Sequence, residues 1–263
     1  MIPAPTDFTF EPIFLALAVV AGFFYFRSLG RVQGHVPWWR PAAFLGGLAL
    51  IALSLNSPLE TISAHYLLLM HLLQNVAIAD WAPPLLIIGL IPAMRASIAR
   101  LGGRPFAAIT RPKIALPIWI VGWYTIHLAL IYDFALENSW ALNIEHGVLI
   151  AIGLIFWWPV FSDSPNAPAT TTRLAYVLAG FVGSVFLGLG FTFSGSAFYD
   201  FYEAAPRLWG LSPQQDQNFG GILMTSEQAI VFLAALAYLL ARLFREETAK
   251  EEELAEQQRR AGY

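Results

Sequence analysis

An all-α, polytopic membrane protein of seven transmembrane helices, amino terminus out and carboxyl terminus in, is the fold class this sequence predicts. Three observations carry that expectation. Hydrophobic residues make up 57% of the chain and charged residues only 13%, against roughly 25% charged in a soluble domain. The apolar residues gather into runs near the about 20 residues needed to cross a hydrocarbon core of ~30 Å. With the amino terminus outside, every Lys and Arg except Arg207 falls on one side, which is the bias that sets orientation.

The first run, Glu11–Phe26, has no Lys or Arg before Arg27 and therefore lacks the charged leader of a cleaved signal, so it is read as a retained helix. The second, Pro41–Leu55, is short for a perpendicular crossing, and a re-entrant segment is its alternative. The third, Ala64–Ile91, is long, and Pro83-Pro84 inside it predict a bend, because proline removes a donor and clashes with the preceding turn. The fourth and fifth, Ile114–Tyr132 and Trp140–Phe161, flank an outer loop holding Asp133 and Glu137. The sixth, Thr172–Phe193, leads into the outer stretch SGSAFYDFYEAAPRLWGLSPQQDQ, whose Tyr and Trp content suits the headgroup layer. The seventh, Phe219–Phe244, opens on Gly220-Gly221, which permit close helix approach. Residues 1–244 thus read as one transmembrane domain. Residues 245–263 read as a charged, helical, cytoplasmic tail, rich in strong helix formers.

Cysteine is absent, so disulfides and thiolate metal sites are excluded, and any metal must be held by His, Met, carboxylate or carbonyl groups. A net charge of −3 gives no sign of a nucleic-acid partner. Four of the five histidines, His65, His71, His127 and His146, fall in the outer half of the bilayer or at its edge. Imidazole is the commonest metal-binding side chain and a poor one to face lipid, so a common depth on three helices suggests a shared site. His71 shares a face with Gln74 and Asn75, while His65 lies roughly 120° around the same expected helix and is equally readable as an interfacial residue. His127 stands one to two turns from the outer end of its helix. Glu145 and His146, about 100° apart, cannot both aim at one point, so one of them is expected to support a ligand from another helix. Met224 lies at a comparable depth, though a single Met in an apolar helix is most often packing. Asp80, near mid-membrane, must be neutral or partnered, and a structural bond beside the proline break is the favoured role.

In their order and spacing, several short motifs resemble the CtaG-type cytochrome c oxidase assembly proteins of bacteria. They are SAH at Ser63–His65, HLLQ at His71–Gln74, APPLL at Ala82–Leu86, His127 with Tyr132-Asp133, Glu145-His146 leading to FWWP at Phe156–Pro159, and LSPQQDQNFGGILM at Leu211–Met224. Each is weak alone; together they are specific and run over most of the chain. The resemblance implies a multi-spanning protein of the bacterial plasma membrane that acts with cytochrome c oxidase subunits, surrounded by membrane lipid, and without catalysis of its own. It implies copper as the metal handled. The ligands it implies are His71, His127 and His146, with Met224 and His65 more peripheral. Asn75 and Leu142 stand where the family often carries further histidines, which leaves fewer imidazoles here.

Other function classes remain open at this point. A retinal protein needs a membrane lysine for its Schiff base, and Lys113 and Lys250 lie in a loop and the tail. A proton or ion carrier would use Asp80, Glu145 and Glu227. A haem-handling scaffold would use paired histidines, and a metal-free scaffold of the oxidase complex would need none.

Overall fold

The computed structural model describes residues 2–163 and 167–260, and within them every regular element is a helix. The last three residues of the expected tail, 261–263, lie outside the described residues. Five helices are long and apolar enough to cross a membrane, and up to seven spans result if each of two bent pairs counts as one.

Helix α1 (Pro12–Leu29) lies at the periphery and buries only Phe14 and Tyr25. The Tyr25 hydroxyl anchors it by donating to the Gly89 carbonyl at 3.1 Å. Helices α2 (Trp39–Leu55) and α3 (Pro58–His65) form the first bent pair, turned by 48°. The break is written in the residues: Ser57 accepts from the Leu59 N–H at 3.2 Å and Pro58 takes the first helical position, where a missing N–H costs nothing.

The expected helix Ala64–Ile91 is several pieces. Tyr66 and Leu67 leave helical geometry between α3 and α4 (Leu68–Val76), so His65 and His71 sit on different helices and the angle reckoned between them on one helix does not apply. The start of α4 is capped from far away, because Asp216 accepts from the Leu68 and Leu69 N–H groups at 2.8 and 2.9 Å. A π-helical turn (Ala77–Trp81) follows and passes into α5 (Ala82–Gly89), whose first turn holds both prolines. In place of a sharp bend at the prolines, a widened turn stands just before them and Leu68–Gly89 runs on as one span. Gly153 is required opposite it, since a Cβ there would come within 2.3 Å of the Ala79 carbonyl oxygen.

Helix α6 (Pro92–Ile109) is broken at Gly103, whose φ of 56° only glycine adopts freely. Helices α7 (Pro112–Ile126) and α8 (Ala129–Glu137) form the second bent pair, turned by 66°, with His127 at the elbow. Then come α9 (Ser139–Phe161), α10 (Thr170–Phe193), the short α11 (Asp200–Ala204) and α12 (Pro213–Arg260). At 48 residues α12 reaches about 72 Å, more than twice the ~30 Å of a hydrocarbon core, and the charged stretch after Phe244 is its helical continuation. The strand of helix running through α4, the π turn and α5 is the most buried of the spans and occupies the centre of the bundle. Helices α2, α9 and α12 pack directly on it, and α7 and α10 close the outer layer against α9 and α12. Small residues allow the closest of these approaches: a Cβ on Gly221 of α12 would meet the Thr192 nitrogen of α10 at 2.5 Å.

Candidate functional site

His71, His127 and His146 are all buried and meet around two further side chains, Glu145 and Tyr132. The rings of His71 and His127 lie 4.8 and 5.6 Å from the Tyr132 ring, and His71 is 6.0 Å from His146, centroid to centroid. Glu145 Oε1 approaches His71 Nε2 at 3.4 Å. Neighbours on α9, Glu145 and His146 point different ways: the carboxylate meets His71, whereas the edge of the His146 ring also packs against Phe14 at 6.2 Å. Among the described residues, no three His, Asp or Glu side chains stand together at metal-holding geometry.

Proton accounting fixes two of the three imidazoles. The Tyr202 hydroxyl has one proton, which it donates to the Ser63 carbonyl at 2.5 Å. It therefore accepts from His71, so Nδ1 of His71, 2.9 Å away, carries the hydrogen. His127 Nδ1 faces the Trp123 carbonyl at 2.7 Å, and a carbonyl can only accept. In the neutral ring of each, Nε2 is then the unprotonated nitrogen, and neither Nε2 has a hydrogen-bond partner. The same holds for both nitrogens of His146, both carboxylate oxygens of Glu145 and the Tyr132 hydroxyl. A buried set of lone pairs in this state can receive a cation or share protons.

The backbone explains why these rings are so placed. Where α7 stops, its last carbonyls lose their helical donors, and the His127 ring takes the one on Trp123. Tyr199 donates to the His127 carbonyl at 2.9 Å on the far side of the elbow. His71 sits in the first turn and a half of α4, held there by the Asp216 cap.

Several contributors were not among the residues singled out from the sequence. Glu60 is buried and receives a hydrogen bond from Gln74 Nε2, which also donates to the Ser54 carbonyl at 2.8 Å. Ser63 Oγ stands 2.9 Å from Gln74 Oε1, completing a polar chain from Glu60 through Ser63 to Tyr202 and His71. Serine, proline and glutamate at 57, 58 and 60 have the spacing of a helix-start signal, which could have drawn attention to Glu60. Tyr199 and Tyr202 depart from the headgroup-layer reading of their stretch, because both are buried against the histidines, whereas Trp209 of the same stretch is exposed. Asp133 holds them in place by accepting from the Asp200 and Phe201 N–H groups at 3.3 Å, which caps α11. Gln217 binds the same connection at Phe198 N–H and the Ser196 carbonyl, at 2.7 and 2.9 Å.

The remaining candidates lie apart. His65 is half-buried at the end of α3. Met224 belongs to the apolar core of α12, on the stripe Gly220, Met224, Gln228. Gly220 abuts Leu69 and Leu72 of α4, and Gln228 donates to Asp80 Oδ2 at 3.1 Å. Asp80 is thus partnered within the π turn, by Gln228 and not by its neighbour Glu227.

The family model described as cytochrome c oxidase caa3 assembly factor (Caa3_CtaG) matches residues 23–246. No curated protein and no solved structure matches the chain. The matched span runs from within α1 into α12 and holds every histidine, tyrosine and carboxylate of the cluster. The chain therefore belongs to the cytochrome c oxidase caa3 assembly factor family.

Proposed function

We propose that this chain assists insertion of copper into its oxidase, receiving the ion as cargo at the buried histidine cluster and passing it to an oxidase subunit in the bacterial plasma membrane. The observation that carries this reading is the pair of Nε2 lone pairs on His71 and His127, each with its Nδ1 hydrogen already committed elsewhere. That is the arrangement by which proteins orient an imidazole toward a metal. His146 adds a third imidazole and Glu145 a carboxylate within the same buried volume. Met224, a turn further in, and His65, at the outer edge, are peripheral candidates. Copper(I) tolerates few ligands and accepts imidazole, and a donor set that is not closed around the ion suits hand-over better than storage. Assistance of this kind needs no turnover by the chain itself.

The test is deletion of the gene, followed by reduced-minus-oxidised spectra and metal analysis of the terminal oxidase. Copper lost with haem retained is the expected result. Haem lost instead supports haem handling, and an oxidase complete in both would leave a metal-free scaffold as the better description. A second reading, proton transfer, draws on the contact between Glu145 and His71 and on the buried carboxylates of Glu60 and Asp80. It predicts an oxidase with normal copper but impaired maturation in Asp80→Asn.

A further inference from the structure

At the end of the bundle that carries the basic loops, a groove of about 410 Å³ opens between α2, α5, α9 and α12. Its polar rim holds two arginines, Arg40 and Arg95. Each uses part of its guanidinium to satisfy helix-end carbonyls: Arg40 Nη1 donates to Ile88 and Leu90 at 3.1 and 2.7 Å, and Arg95 Nη1 to Phe161 at 2.5 Å. Carbonyls are neutral, so those bonds leave both charges standing. Among the described residues neither arginine has a carboxylate within ion-pair distance; Asp163, the acid on the same rim, is engaged by Arg242 at 2.7 Å and Arg173 at 3.5 Å. Burial of Asp163 works against its ionisation, but the Arg242 hydrogen bond and the charges of Arg242, Arg173 and, more weakly, Arg95 hold its carboxyl below the usual value. Arg95 feels the opposite: burial and the neighbouring Arg40 charge push its guanidinium down, and the field of Asp163, a carboxylate already shared with Arg242 and Arg173, offsets this only in part.

Two close cations at the hydrocarbon edge are costly without an anion between them. Below them the groove turns apolar, walled by Trp81, Trp157, Ile230 and Ala234. Trp81 ends the π turn beside Asp80, and Ile230 lies two residues beyond Gln228. The walls thus lead from the level of the basic loops toward mid-membrane. Tyr238 lines the rim and brings a hydroxyl donor.

We propose that this groove binds an anionic phospholipid, its phosphodiester between Arg40 and Arg95 and one acyl chain along Trp157, Ile230 and Ala234. Guanidinium donors match phosphate oxygens two at a time, and basic pockets between transmembrane helices at this face are sites for acidic headgroups. A free phosphate would satisfy the arginines but leave the aromatic wall without a partner, so the amphipathic groove selects the lipid. The bound lipid would tie the ends of α2, α5, α6 and α9 together.

The full chain in detergent is titrated with dioleoyl phosphatidylglycerol, dioleoyl phosphatidylcholine and inorganic phosphate, with binding read by native mass spectrometry and by thermal unfolding. Phosphatidylglycerol is expected to bind about tenfold more tightly than phosphatidylcholine and to raise Tm by several degrees, as a native-state ligand must. Arg95→Gln should erase the preference. That variant also strips a donor from the Phe161 carbonyl, so if it fails to fold, Ala234→Trp carries the test: it fills the groove from an exposed position and breaks no hydrogen bond. Equal binding of the two lipids, stabilisation by inorganic phosphate matching that of phosphatidylglycerol, or an undiminished preference in Ala234→Trp each overturns the proposal.

Discussion

Tyr202 carries a single hydroxyl proton, and its destination decides what His71 can do. Spent on the Ser63 carbonyl, it forces a His71 hydrogen onto Nδ1, so that in the neutral ring Nε2, 3.4 Å from Glu145, carries the lone pair. Tyr202→Phe keeps the ring in its buried slot and removes that constraint together with the donor to the Ser63 carbonyl. If the proposed copper role holds, the cuprous affinity of the purified chain should then fall about 10- to 100-fold, the usual effect of losing a group that orients a metal-binding histidine. Titration against a chelator competitor measures it, with thermal unfolding as the control for folding. An unchanged affinity would show that the tautomer of His71 is irrelevant to the metal. The imidazoles themselves give a second expectation. Alanine at His71, His127 or His146 should lower oxidase copper at least tenfold relative to His35→Ala, since His35 lies in the loop between α1 and α2, far along the chain from the cluster. Metal analysis of oxidase isolated from each strain decides it, and equal copper in all four strains would remove the site.

Elements break where side chains stand ready to satisfy the broken backbone, and this governs what could be read in advance. The apolar lengths, a disturbed helix beside Pro83-Pro84 and the common depth of the three central histidines were legible because each depends on composition or on near neighbours in sequence. The division of Ala64–Ile91 was not, because the cap that permits a new helix at Leu68 comes from Asp216, some 150 residues away. The elbow at His127 was hidden for the same reason: it is closed by the Tyr199 hydroxyl and contains neither proline nor glycine. Tyr199 and Tyr202 read as headgroup aromatics because amphipathic rings suit both the interface and a polar core, and only the clamps from Asp133 and Gln217 choose between them. The cap gives a sharp expectation. Asp216→Ala leaves two N–H groups at the start of α4 without an acceptor and should destabilise the chain by on the order of 2–4 kcal/mol. Asp216→Asn keeps one acceptor oxygen and should cost about half as much. Chemical or thermal unfolding in detergent measures both, and a neutral Asp216→Ala would mean that water replaces the cap.

At the scale of the whole molecule the histidine cluster and the arginine groove lie toward opposite ends of one central helix, and their functional meaning depends on which end faces out. The basic residues supply the argument: all but Arg207 lie at the end of the bundle that holds Arg40, Arg95, Arg173 and Arg242, and cytoplasmic loops are the ones enriched in Lys and Arg. Several of them are also structural, since Arg40, Arg95 and Arg173 bind helix-end carbonyls, so the bias is partly built into the fold and does not rest on insertion alone. If it nevertheless reports orientation, the amino terminus is outside, α12 carries its charged extension into the cytoplasm, and the buried cluster of His71, His127 and His146 lies toward the outer side, where the proposed hand-over of copper would take place. Single cysteines placed at Ser139, which begins α9, and at Ser164, which lies outside the described residues in the connection to α10, test this in a chain with no cysteine of its own. In intact cells a membrane-impermeant maleimide should label Ser139→Cys and reach Ser164→Cys only after the membrane is opened. The reverse pattern would put the histidines on the cytoplasmic side, where a copper site would serve uptake from a soluble donor, and labelling of both from one side would mean that α9 does not cross the membrane.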